Sequence, residues 1–184
     1  MPRIHLPARG RKSYKLQSNL MEFTLREYRS HDFDRLWHID QECFAPGIAY
    51  SQLELAAYIR RRGSFTLVAE ASNTTAGADS RLGILGFIVA EANRRRIGHV
   101  LTIDVLPGNR RLGVGSKLLA TAEERLRAMP CRSVVLETAV DNASALAFYK
   151  RHGYNIVNTI PRYYSNGLDA FMLEKELLGV SRAE

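Results

Sequence analysis

The hydrophobic and polar positions of this chain fall into short segments with recognisable boundaries. Residues 23–28 predict a first strand, and a helix follows over 32–43 with Asp32 placed to cap it. Ala45-Pro46-Gly47 breaks the chain before a second helix over 51–61, capped by Ser51. Strands are predicted over 65–70 and 82–91, separated by the polar loop 72–81, and the turn 93–96 leads into a strand over 98–105. A helix from about 113 to 128, a strand over 132–139, a helix over 142–152, a strand over 154–160 and a last strand near 169–175 complete the order. Helices clustered between particular strands of one central sheet, with no internal repeat, describe a single α/β domain with a mixed sheet.

The junction between the strand ending near Val105 and the helix opening near Gly113 carries the most chemistry. Over 104–116 it reads Asp-Val-Leu-Pro-Gly-Asn-Arg-Arg-Leu-Gly-Val-Gly-Ser. The apolar strand ends at Pro107, and Gly113 and Gly115 open a helix whose first amides have no intrahelical partner. Those amides, the positive end of the helix dipole and the adjacent Arg110 and Arg111 favour a diphosphate, and the glycines let the backbone come close to it.

Spacing separates the phosphate loops that compete for this stretch. Gly108 and Gly113 have the glycine spacing of a P-loop, but Val114 stands where its lysine belongs. Gly113 and Gly115 begin a dinucleotide fingerprint, with Glu137 at the distance of its acid, but Leu118 occupies the third glycine position. Arg110, Gly113 and Gly115 satisfy Arg/Gln-x-x-Gly-x-Gly/Ala; the plain alternative is a glycine-rich turn before a surface helix. Downstream, the strand Ser-Val-Val-Leu-Glu-Thr-Ala over 133–139 precedes a run from Asp141 to Tyr154. There Asp141 or Asn142 caps a helix, Ala145, Leu146, Phe148 and Tyr149 lie along one side of it, and Gly153 ends it.

The first motif resembles the acetyl-CoA pyrophosphate loop of the GCN5-related N-acetyltransferase (GNAT) superfamily. The second resembles that family's Asn-x-x-Ala-x-x-x-Tyr-x-x-x-Gly-Phe/Tyr segment at each of its positions. The resemblance covers about residues 21–176 and implies the GNAT fold, with 1–20 a basic flexible extension, 21–178 the catalytic domain and 179–184 a short tail. It also implies acetyl-CoA as co-substrate. The backbone of Ile103, Asp104 and Val105 would bind the pantetheine arm, with amides near Val105 polarising the thioester carbonyl. Arg110, Arg111, Leu112, Gly113, Val114, Gly115 and Ser116 would hold the pyrophosphate, and Asn142 would touch the cofactor as well as cap its helix.

Amide formation from an activated thioester requires an oriented, deprotonated amine, an oxyanion stabiliser and a proton for the departing thiolate. No covalent intermediate is needed. Glu137 is the candidate base: in an apolar strand its carboxylate is partly desolvated, which raises its pKa toward the working range. A strand-end glutamate facing solvent or an ion pair is the bland reading. Leu136-Glu137-Thr138 beside Asn142 and Tyr149 resembles the ribosomal-protein N-terminal alanine acetyltransferases, and that likeness favours the base. Tyr149 is the candidate acid, with aromatic packing against Phe148 as its alternative. Tyr163, Tyr164, Asp169 and Ala170 resemble the segment that lines the peptide groove of protein N-terminal acetyltransferases, although Arg162 and Leu168 depart from its asparagine and glutamate.

Composition narrows the remaining choices. With 184 residues, 46% of them hydrophobic, one domain can bury a core without disulfides or metals, and no apolar run is long enough to span a bilayer. Cys43 and Cys131 lack ligand spacing and read as reduced thiols, which points to a cytoplasmic protein. His31, His38, His99 and His152 share no metal spacing and read as surface or capping residues, and Trp37 reads as core. Of the formal net charge of +7, Arg3, Arg9, Arg11, Lys12 and Lys15 precede residue 21 with no acid among them. This tail reads as a disordered extension or an upstream start, suited to contact RNA or ribosomes, and it resembles a transit peptide only superficially. The expected activity is acetyl transfer to a peptide or protein N-terminus such as that of a ribosomal protein. The alternatives are a lysine or small-molecule amine acceptor, if residues 43–58 and the Tyr163 loop close a pocket, and a non-catalytic CoA- or RNA-associated protein.

Overall fold

The computed structural model describes residues 22–72 and 83–177. The expected extension 1–20, the tail 179–184, most of the loop 72–81 and the first residue of the expected strand 82–91 lie outside the described residues. In chain order the elements are β1 (Phe23–Glu27), a 3-10 turn (Ser30–Asp32), α1 (Phe33–Cys43), α2 (Gln52–Arg60), β2 (Ser64–Ala71), β3 (Ile84–Ala92), β4 (Ile97–Val105), a 3-10 turn (Pro107–Asn109), α3 (Val114–Ala128), β5 (Ser133–Ala139), α4 (Ala143–Arg151), β6 (Asn155–Ile160) and β7 (Ala170–Glu176). Each expected helix and strand is present, with ends displaced by a residue or two, as fraying helix ends and strand ends allow.

All seven strands form one sheet in the order β1-β2-β3-β4-β5-β7-β6. β1 to β4 pair antiparallel, β4 and β5 pair parallel, and β7 lies antiparallel between β5 and β6. Alternation along β3 divides the core. Ile88 and Ala90 face α3, where they meet Leu118, Leu119, Ala122 and Leu126; Phe87 and Val89 face α1 and α2, where they meet Leu36, Ile39 and Leu55. Both faces are therefore covered, and β2 and β3 read as continuous apolar runs. Each fully buried leucine or isoleucine in these layers contributes about 1.5–3 kcal/mol relative to exposure.

Ser51 caps α2 as expected: its Oγ accepts from the Glu54 amide while the Glu54 carboxylate accepts from the Ser51 amide at 2.8 Å. Asp32 corrects the reading at α1. It sits at the cap position without capping the helix, because its carboxylate is taken by the Arg26 guanidinium at 2.7 Å and the Arg29 amide at 2.8 Å. Trp37 is half-buried against the α1/α2 core, and its indole N–H donates to the Tyr50 carbonyl at 3.2 Å.

Candidate active site

β4 and β5 share three rungs, Ile97↔Ser133, Gly98↔Val134 and His99↔Val135, and then part. β7 accompanies β5 along its whole length, from Ser133↔Glu176 to Ala139↔Ala170, so β5 follows β7 away from β4. The Leu106 amide donates to the Leu85 carbonyl of the neighbouring strand at 3.0 Å. Antiparallel alternation therefore turns the backbone of Asp104 toward β3 and that of Ile103 and Val105 toward the opening. The Val105 carbonyl is held there by Arg110 Nε at 3.0 Å and by the Cys43 thiol at 3.3 Å, which fixes its peptide plane.

The expected cofactor residues divide accordingly. Ile103 and Val105 present backbone to the opening, but Asp104 does not. Its side chain is fully buried, with Oδ1 accepting from Thr102 Oγ1 at 2.9 Å and Oδ2 without a hydrogen-bond partner. Burial, aided by the nearby Asp40, pushes its carboxyl well above the ordinary carboxylate range, and its backbone faces β3 instead of the opening.

Beyond the 3-10 turn, Arg111 has φ +67° and Gly113 has φ +85°, a left-handed residue at the position that caps α3. No side chain caps this end, and the first helical bond is Lys117 N–H to Gly113 O at 3.0 Å, so the amides of Val114, Gly115 and Ser116 are not used within the helix. A methyl group built on Gly113 would meet nothing within 4 Å, and Arg110, Arg111 and Leu112 are exposed around it. This cradle fits a diphosphate. Ser116 is tied to α4: with His152 Nδ1–H donating to Phe148 O at 2.9 Å, Nε2 is left to accept from Ser116 Oγ at 3.1 Å. His152 thus joins the two helices.

At the start of α4 the Asn142 side chain accepts from the Ala145 amide at 3.1 Å, which selects it over Asp141 as the cap. Tyr149, further along, is 7% exposed and packs edge-on against Phe148 and Tyr154. Burial, then the nearby Asp104 and Tyr164, raises its phenol above the ordinary value and keeps it protonated.

Glu137 lies two residues beyond the last shared rung, and its Oε2 is 2.7 Å from His99 Nε2 across the fork. His99 is therefore a partner of the candidate base rather than a surface or capping residue. A parallel register between strands separated by a helix was needed to bring the two together. Beside Glu137, burial and then the carboxylate charge raise the phenols of Tyr163 and Tyr164, the latter to about 12.

Two loops meet above this fork. Ser165 Oγ donates to the Gly47 carbonyl at 3.0 Å, and a methyl group on Gly47, at φ +86°, would come within 2.9 Å of Asn166 Cβ. The β6–β7 loop has hydrogen bonds of its own. Asp169 Oδ1 accepts from the Arg162 amide at 2.7 Å and Tyr164 N–H donates to Leu168 O at 3.1 Å, so the Arg162 and Leu168 departures leave the turn intact. Tyr50, not singled out in the sequence, anchors the other loop: its hydroxyl donates to Leu101 O at 3.0 Å and its amide to Asp40 Oδ2 at 2.8 Å. It also packs edge-on against Tyr58 at 5.0 Å. Among the described residues no group of acidic, histidine or cysteine side chains could hold a metal ion, and no helix is long and apolar enough to cross a membrane.

Comparison with known proteins agrees with this geometry. Residues 20–154 match the model of the acetyltransferase (GNAT) family. An uncharacterised N-acetyltransferase of Methanocaldococcus jannaschii is 29% identical over 83% of this chain and 90% of its own length. An N-alpha-acetyltransferase of Saccharolobus solfataricus is 27% identical over 85% of this chain and 94% of its own. The crystal structure of the ribosomal-protein-S18-alanine N-acetyltransferase of Escherichia coli superposes with a TM-score of 0.71 at 20% identity, covering 89% of this chain and 99% of that one, a likeness of fold.

Proposed function

The chain belongs to the acetyltransferase (GNAT) family, and from that premise we propose that it acetylates the α-amino group at the end of a polypeptide, with acetyl-CoA as donor. The observation that carries this reading is the Ser165–Gly47 bridge above the Glu137–His99 pair. Among the described residues one side-chain hydrogen bond joins residues 43–58 to the Tyr163 loop, a strap rather than the closed pocket that would favour a lysine or small amine; under it an acceptor enters end first, and an internal lysine would have to thread its flanking chain past it.

Acetyl-CoA supplies an activated acetyl group, and the residues do the rest. The amides of Val114, Gly115 and Ser116 and the guanidinium groups of Arg110 and Arg111 fit the pyrophosphate. The Ile103 and Val105 backbone aligns the arm, and the Val105 N–H faces the oxygen on which negative charge develops. Glu137, oriented by His99, takes the proton the amine must lose before the new C–N bond is complete. Tyr149 donates to the sulfur as the C–S bond breaks. Burial raises its phenol, so it holds its proton until the thiolate forms.

The test is acetylation by purified protein of peptides varied at their first three residues, beside lysine-centred peptides with blocked ends and free small amines. Turnover confined to free chain ends is expected, with an alanine-initiated ribosomal-protein peptide as one arm. Faster transfer to blocked lysine peptides or free amines would overturn the reading.

A further inference from the structure

Charge is distributed unevenly within the folded domain as well as along the sequence. α2 ends in Arg60, followed by Arg61 and Arg62, and the β3–β4 turn carries Arg94, Arg95 and Arg96. Backbone bonds place these runs side by side: Ala92 N–H donates to Gly63 O at 3.1 Å, and Ser64 pairs with Glu91. Arg132 joins them, its amide donating to Arg96 O at 2.8 Å. All seven arginines are exposed.

Little at this end of the sheet neutralises them. Among the described residues, Arg61 is the one member paired with a carboxylate, Glu91 at 3.1 Å, while its guanidinium lies over the Tyr58 ring at 4.8 Å. Glu27 on β1 is taken by Arg125, leaving Glu176 opposite Ser133. The cluster lies at the paired end of β4 and β5, two residues before His99, where the fork begins to open, whereas the Gly113 cradle lies beyond the other end of β4, roughly 26 Å away at about 3.3 Å per residue.

We propose that this arginine face binds the phosphate backbone of a nucleic acid, independently of the cofactor cradle at the far end of β4. Guanidinium groups grip phosphate oxygens bidentately and remain charged at any accessible pH. Phosphate contacts of this kind give affinity without sequence readout and a steep dependence on salt. A lipid surface fits less well: among the described residues the exposed large apolar ones are Leu53, Leu112, Ile156, Val157 and Tyr163, and none belongs to the arginine runs or to the segments joining them, so none of these would enter a bilayer there.

The test uses the full chain with acetyl-CoA saturating, so that the cofactor cradle cannot capture the probe. Binding of a fluorescent single-stranded RNA of about 20 nucleotides, of duplex DNA and of phosphatidylglycerol vesicles is measured from low to physiological salt. The variant carries Arg60→Gln, Arg62→Gln, Arg94→Gln and Arg95→Gln, sparing Arg61, which holds Glu91, and Arg96, whose φ is +61°. Removing four phosphate contacts should weaken RNA binding at least tenfold and flatten the log–log salt slope by about 3, at about 0.7 per contact for a single strand. Peptide acetylation should be unchanged. The comparison of RNA with DNA identifies which backbone is preferred. RNA and DNA affinities and salt slopes unaltered in the variant, or an arginine-dependent preference for vesicles over both nucleic acids, would overturn the proposal.

Discussion

The Glu137 carboxylate and the His99 imidazole meet at 2.7 Å just past the last rung that β4 and β5 share, so the point where the sheet opens is also where its two strands exchange a charged hydrogen bond. Two titratable groups in contact behave as a unit, and removing either should remove most of what both do. Glu137→Gln and His99→Gln are each expected to lower kcat by about 10²- to 10⁴-fold with little change in the KM for acetyl-CoA, and the double variant should be far less than multiplicatively worse. Steady-state kinetics on a verified peptide decide this. Multiplicative losses would mean that the two side chains act on separate steps.

Tyr149 gives a different signature. Because burial raises its phenol, it stays protonated throughout the working range, and it should produce no falling limb in the pH profile below about pH 10. Tyr149→Phe keeps the packing against Phe148 and Tyr154 and removes only the donor. A fall in kcat with the shape of the profile retained is expected. Wild-type kcat in the variant would leave Tyr149 as a packing residue.

The contrast between these two sites explains what the sequence disclosed. The Gly113 loop, the Asn142 cap and the Ser51 capping box are local, each written within a few consecutive residues and governed by backbone conformation and unpaired amides. His99 and Glu137 are 38 residues apart, joined only by a parallel register that no local pattern specifies. Asp104 shows a finer loss. It lies between two residues whose backbone faces the opening, and period-two alternation turns it to the other side, into a buried cluster with Asp40 and Tyr50. The approach of residues 43–58 to the Tyr163 loop was weighed from the sequence, but the Ser165–Gly47 bond that makes it, 118 positions apart, is written in no local pattern.

The cradle itself is testable through stability. Acetyl-CoA binding to the native state should raise the melting temperature in proportion to RT ln(1 + [L]/Kd). Gly113→Asp places a carboxylate at the helix entrance and a β-carbon at φ +85°, so it should abolish the ligand-induced rise and cost on the order of 1 kcal/mol without ligand. Differential scanning fluorimetry with and without millimolar acetyl-CoA measures both. An undiminished ligand shift in the variant would remove the loop from the pyrophosphate site.

Asp40 links stability to acid. Burial raises its carboxyl to about 6 from an ordinary 3.8, and Asp104 is raised well above the same value. For a carboxyl whose pKa is higher when folded, the native state holds more protons than the unfolded chain, so stability falls as pH rises from the unfolded value through the folded one. The protein should therefore lose stability between about pH 4 and 6 through Asp40, and Asp104 adds a loss of the same sign that begins from the same unfolded value. Asp40→Asn keeps an oxygen for the Tyr50 amide and supplies an N–H where Oδ1 now has no partner. It should raise stability at pH 7 by on the order of 1–3 kcal/mol and flatten the curve between pH 4 and 6, as read by urea unfolding across that range. A variant less stable than wild type at pH 7 would show that the Asp40 charge is offset by its hydrogen bonds.

Acceptor choice should depend on the strap. Ser165→Ala removes the one side-chain bond joining the β6–β7 loop to Gly47, while Asp169 and Asn166 still hold that loop internally through the Arg162 and Leu168 amides. The fold and the cofactor cradle are untouched, so the acetyl-CoA-induced melting shift should equal that of wild type. A single neutral hydrogen bond contributes about 1 kcal/mol, which limits the change to roughly fivefold in the equilibrium between joined and parted loops. The ratio of kcat/KM for blocked lysine peptides to that for free-ended peptides should rise by up to that factor. Ser165→Thr, which retains the hydroxyl, should restore the wild-type ratio. If Ser165→Ala leaves the ratio unchanged while the loop is shown to part, discrimination against internal lysines lies instead with the tyrosines beneath it.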